Sequence, residues 1–145
     1  MKTIKKLPKR TNANSGKKAH NDNICYKVGR IKMNSWATKI LSAADIVIYE
    51  TELVHIYNRH KKELCSVGMD AFDFVKFIVT NYNEIYRGTG NTFRLVVRRK
   101  HTSDMAAIEL HKITVNSADV YKINTATPMG TKKLCEKDLL CANDH

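Results

Sequence analysis

The chain has 145 residues, of which 43% are hydrophobic, with four cysteines and a formal net charge of +11. That length suffices to bury a core as one domain without disulfides, and no apolar run is long enough for a membrane-spanning helix. The N-terminus, Met1-Lys-Thr-Ile-Lys-Lys-Leu-Pro-Lys-Arg10, is basic, but the apolar stretch of a signal peptide does not follow it.

The charge is unevenly placed. Residues 1–40 carry eleven Lys/Arg against one acid, Asp22, a balance of +10; residues 41–145 carry fourteen against thirteen. Composition therefore divides the chain into a basic, flexible arm over 1–30 and a nearly neutral domain over 31–145. Such an arm holds phosphate backbones by counterion release, or it is a solvated leader that keeps the chain soluble. Cys25, Cys65, Cys135 and Cys141 form no CxxC pair and no zinc spacing. They are expected to be reduced thiols of a cytoplasmic protein.

Residues 31–44, with Trp36, Ile40 and Leu41, are expected to form a short amphipathic helix, and Ile46–Tyr49 a short strand or extended lead-in. A first helix is predicted from Thr51 as N-cap, with Glu52 in the first turn and Gly68 as the left-handed residue that ends it. Leu53, Ile56, His60 and Leu64 fall on one face of it. His60 is thus core-facing and beside Arg59: either a satisfied structural histidine or a chemical group at the lip of a site. A second helix is predicted behind Asp70 as N-cap, with Asp73 three residues on and an apolar face of Phe74, Val75, Ile78 and Tyr82.

After Asn83 the period becomes alternating. Asn83–Arg87 and Thr92–Lys100 flank Gly88-Thr-Gly-Asn91, a hairpin signal. A third strand is predicted over Met105–Val115 and a fourth over Val120–Thr127, ended by Pro128. The tail from Gly130 is polar, with Leu139-Leu140 as an apolar anchor. The expected fold is α+β, with N-terminal helices packed on a four-stranded antiparallel sheet.

No Walker A loop, GxGxxG, HExxH or GxSxG occurs. A metal site at His55 and His60 is disfavoured, because a spacing of five turns them about 140° apart on a helix and no Cys or carboxylate cluster completes it. The remaining groups suit RNA cleavage through the 2′-hydroxyl, which needs a base, an acid and a donor for the phosphorane charge. His60 and His55 supply imidazoles, which titrate near neutral pH. Arg98, Arg99 and Lys100 end the second strand and can hold phosphate. Glu109 lies opposite Ile108 and Leu110 on the third strand, and Thr125 and Thr127 share a face of the fourth. The plain alternatives are a surface His55, solvated strand-end cations, a half-exposed Glu109 and ordinary strand threonines.

The pattern Glu52-Leu53-x-His55-Ile56-x-x-x-His60, then Gly68 and an Asp-led helix, resembles a known group. So do the Gly-Thr-Gly-Asn hairpin, the strand ending in basic residues, Ala107-Ile108-Glu109-Leu110 and Tyr121-Lys-Ile-Asn-Thr125-Ala-Thr127-Pro128. The group is the phage and mobile-element nuclease-like domains related to barnase, EndoU, colicins E5 and D, and RelE. The resemblance covers roughly residues 45–140. It implies metal-independent, cofactor-free, toxin-like RNA cleavage in the cytoplasm of a bacterial host, with an immunity protein or antitoxin as partner. By motif position the resemblance points to His60, Lys100 and Thr125 as catalytic residues. The acid/base inventory adds Glu109 and His55 as second choices, with Arg59, Arg98, Arg99 and Thr127 expected to hold phosphate. The aromatic that closes the family pattern after the final Leu-Leu is replaced here by Cys141-Ala-Asn143.

Overall fold

A computed structural model describes residues 24–98, 105–130 and 136–143. In chain order it has strands β1 (Cys25–Ile31) and β2 (Ala44–Tyr49), helices α1 (Glu50–Val67) and α2 (Ala71–Asn81), then strands β3 (Glu84–Arg87), β4 (Thr92–Arg98), β5 (Met105–Val115), β6 (Ala118–Gly130) and β7 (Leu139–Ala142). The strands make one seven-stranded sheet in the order β1-β2-β6-β5-β4-β3-β7.

This overturns the expected four-stranded antiparallel sheet behind N-terminal helices. The four strands after α2 are present, but three more join them and the sheet is mixed, because β2 runs parallel to β6. The physical reason lies in the run Ile46-Val-Ile48. All three residues are fully buried, Ile46 and Ile48 in the core under the helices and Val47 outside that cluster. A strand apolar on both faces belongs inside a sheet, where parallel pairing is common. β1 then pairs antiparallel with β2. Its Tyr26, Val28 and Ile31 enter the core, so residues 25–30, basic in composition, form an edge strand. β7 pairs with β3 and closes the other edge.

The helix expected over 31–44 is replaced by a 3-10 turn at Trp36–Lys39 between β1 and β2. Asn34, with φ 65°, turns the chain in the left-handed region just before it. Nor does Pro128 end β6, which continues to Gly130. Beyond Lys122 no described strand pairs with β6 on its β2 side, and an edge tolerates a missing N–H.

The expected N-cap at Thr51 is displaced, since α1 starts at Glu50 behind Tyr49, but the signals at Asp70 and Gly68 match the structure. The Asp70 carboxylate accepts from the Asp73 N–H at 2.7 Å. Gly68 has φ 70°; its N–H donates to the Cys65 carbonyl and that of Met69 to the Leu64 carbonyl, both at 3.1 Å, which is a Schellman ending. Asn116 and Ser117, at φ 51° and 68°, make the tight β5–β6 turn. Among the described residues no helix is long and apolar enough to cross a membrane, and Cys25, Cys65 and Cys141 are free thiols.

Both helices lie on one sheet face. α1 packs on β2 and β6, while α2 reaches from β1 to β4 and β5. The sheet therefore curls around α2, and Cys141 of β7 comes within 4.0 Å of the Trp36 carbonyl, just past β1.

Two outcomes follow. Ile46→Ala, which opens a cavity beneath the buried strand β2, should cost about 2–5 kcal/mol in urea unfolding. The Tyr26 phenol, pushed up to about 12 by burial, by the Glu50 charge and by its hydrogen bond to Glu50, favours the neutral form in the fold. Its stabilisation is whole below pH about 10, the free phenol value, and is lost as pH rises through about 12. Thermal unfolding of Tyr26→Phe should therefore fall less steeply across that window than that of the wild type.

Candidate functional site

β2 pairs with β6 through Asp45–Val47 against Val120–Lys122. The chain then passes without a linker from Tyr49 into α1, and the first helical amide, Glu50 N–H, donates to the Ile24 carbonyl at 2.9 Å. β6 continues past the end of β2, and α1 lies along the half-strand thus uncovered. Between them is a cavity of about 260 Å³, lined by Glu52, His55, Ile56, Arg59 and His60 of α1 and Asn124, Thr125 and Ala126 of β6.

Two irregularities shape it. The β5–β6 register shifts between Glu109–Thr125 and Leu110–Ile123. This bulge lets Ile123 and Ala126 both enter the core, while Asn124 and Thr125 between them stay out of it. α1 bends at His60, whose φ of −126° and ψ of 28° are not helical. The His60 side chain is 17% exposed, and its Nδ1 stands 3.8 Å from Glu63 Oε2. That is too long for a hydrogen bond, and Nδ1 is buried without a hydrogen-bond partner. A buried polar atom left unmatched is uncommon and costs stability.

His55 and Arg59 are exposed on the cavity wall. Neither they nor Glu52 form an ion pair among the described residues, so their polar groups face the cavity uncommitted. His55 and His60 share the wall although five residues separate them, because the wall is a broad arc of helix centred between them. The arrangement offers two imidazoles, a guanidinium, a hydroxyl, a carboxylate and a carboxamide around one space.

The other expected residues lie elsewhere. Glu109 is the direct cross-strand partner of Thr125 on β5, and its side chain lies on the sheet face away from the helices. It accepts from Thr92 Oγ1 at 3.1 Å and faces Arg94 Nε at 3.8 Å. Arg98 is also engaged on that face, its Nε 3.0 Å from Glu84 Oε1 and its Nη2 3.2 Å from the Tyr86 hydroxyl. Burial lowers the Arg98 guanidinium, but hydrogen bonds with Glu84 and Tyr86 outweigh it and leave the group raised. Thr127 pairs with Ala107 and does not line the cavity. Arg99 and Lys100 lie outside the described residues.

Glu52 and Asn124 were not among the expected site residues. Glu52 was legible as a site candidate, since 52, 55, 56 and 59 follow the i, i+3, i+4, i+7 rule for one helix face. Asn124 enters through the bulge, which has no local sequence signal. Among the described residues no group of three His, Cys, Asp or Glu side chains is placed to hold a metal ion.

The unmatched Nδ1 separates a structural from a chemical role for His60. His60→Leu should leave the urea midpoint unchanged or raise it, because an apolar group of similar size removes an unsatisfied atom. The facing Glu63 is 53% exposed, so its loss as a neighbour matters little. A histidine serving the fold would instead cost about 1–3 kcal/mol.

Comparison of the chain with protein-family models, with curated proteins and with solved structures finds no match.

Proposed function

We propose that the protein is a toxin-like endoribonuclease that cleaves RNA through the 2′-hydroxyl without a metal ion. The observation that carries this reading is the meeting of His55, Arg59, His60 and Thr125 in one cavity. The resemblance at Glu52-Leu53-x-His55-Ile56-x-x-x-His60 supports it as well.

In this reaction the 2′-oxygen attacks the adjacent phosphorus while a base takes its proton. The bond to the 5′-oxygen breaks as an acid protonates that leaving group, giving a 2′,3′-cyclic phosphate and a 5′-hydroxyl. His60 and His55 divide the base and acid roles. Arg59 holds the charge that develops on the phosphorane oxygens, and the Thr125 hydroxyl donates to one of them. An immunity protein or antitoxin that covers the cavity is the partner such an enzyme requires in its own cell.

The +10 balance of residues 1–40 supports a second reading, a catalytically silent domain that binds nucleic acid or a protein partner. Cleavage of single-stranded RNA in EDTA distinguishes the two. The wild type should release cyclic-phosphate ends, and His60→Ala should be slower by roughly 10²–10⁴-fold, the usual worth of a general acid or base. RNA binding without cleavage would favour the silent domain. Equal cleavage by both proteins would remove His60 from the mechanism.

A further inference from the structure

We propose a second nucleic-acid contact, a cavity at Trp36 and Tyr82 that takes one nucleotide of a single-stranded RNA. It lies where the curled sheet brings its two edges together. The cavity has a volume of about 560 Å³ and is lined from β1, from the turn after it, from the end of α2 and from Asn143 after β7.

Its floor is thinned by Gly29. A Cβ there would stand 2.6 Å from Val79 Cγ1, so α2 presses on β1 at a point where only glycine fits. Trp36 and Tyr82, both half-buried, line it with ring centroids 5.3 Å apart and planes tilted by 41°. Aromatic rings of this kind stack on any base, whatever its identity. Ser35 Oγ is buried there without a hydrogen-bond partner, a donor and acceptor that a base edge or ribose hydroxyl can satisfy. The Asn81 amide nitrogen is used on the Phe77 carbonyl at 2.8 Å, which leaves its oxygen for a ligand.

Two cations complete the site. Lys32 is exposed on the wall and has no ion pair among the described residues. Arg30 is held 2.9 Å from Asp45, which Lys27 also approaches at 3.5 Å. A ring pair for a base beside an uncommitted ammonium for a phosphate fits a nucleotide better than an acidic peptide, which would use the cations alone. The net charge of +11 draws a polyanion to the chain. This assignment stands whether or not the α1–β6 cavity cleaves RNA.

Trp36 is the single tryptophan of the chain, so its emission reports on this cavity directly. The test titrates the full chain with 2′-O-methyl oligouridylate, whose blocked 2′-oxygen cannot attack, while fluorescence anisotropy follows binding. Saturable quenching of Trp36 that tracks the anisotropy is expected. Tyr82→Leu should weaken it on the order of tenfold, the usual loss of one stacked base, and Lys32→Ala severalfold with the fold intact by circular dichroism. Binding that leaves Trp36 emission unchanged would overturn the proposal. So would equal quenching by inorganic polyphosphate, which carries charge but no base, or an unchanged affinity in Lys32→Ala.

Discussion

The parallel pairing of β2 with β6 is the contact on which the rest depends. It is short, three residues against three, and its Ile46, Val47, Val120 and Tyr121 are buried. Because β2 ends at Tyr49 while β6 goes on to Gly130, the sheet has an internal step. A helix that starts at the top of the shorter strand has a place to lie, along the uncovered edge of the longer one. The cavity is the remainder of that step. Its α1 and β6 walls are joined through a single pair of strands, so their separation is set by sheet geometry and not by loops.

The opposite sheet face is organised differently. Tyr86, Val96 and Ala107 form a small buried cluster there. Above it Glu84, Tyr86 and Arg98 satisfy one another, the Tyr86 hydroxyl donating to Glu84 at 3.0 Å. Asn83 adds to this by accepting from the Arg98 N–H at 2.9 Å and donating to the Arg98 carbonyl at 3.1 Å. Arg98, attractive as a phosphate ligand by composition, belongs here to the outer layer of the sheet. Mutual satisfaction of this kind is what a half-exposed ion pair contributes to a fold: fixed geometry more than net stability.

Much of this was readable locally. Asp70, Gly68 and the Gly88–Asn91 turn each act on neighbours within a few residues, and α2, β3, β4 and β5 followed from them. β1 and β7 were missed because their partners are distant in sequence: Tyr26 meets Ile48, and Cys141 meets Ile85. The charge of the first forty residues also hid the alternation of Tyr26 and Val28. For the cavity, the helix side was legible, since one apolar stripe placed His60 with Arg59 beside it and the motif placed His55. The strand side was half legible. Thr125 could be named from its motif, but Asn124 depends on a register shift against β5 that no local pattern announces. Glu109 and Arg98 are polar residues on a strand, and sequence alone does not distinguish one committed to a neighbour from one left open.

The direct passage from β2 into α1 has a consequence for how the cavity would meet a ligand. No hinge separates the strand from the helix, and the join is tied twice, by the Glu50 amide on Ile24 and by the Tyr26 hydroxyl on the Glu50 carboxylate at 3.2 Å. Opening the cavity by swinging α1 would tear the edge of the core. The walls are thus shaped before any ligand arrives, and little ordering entropy remains to be lost on binding. Selectivity at such a site comes from exclusion: a molecule enters only if it already has the right shape.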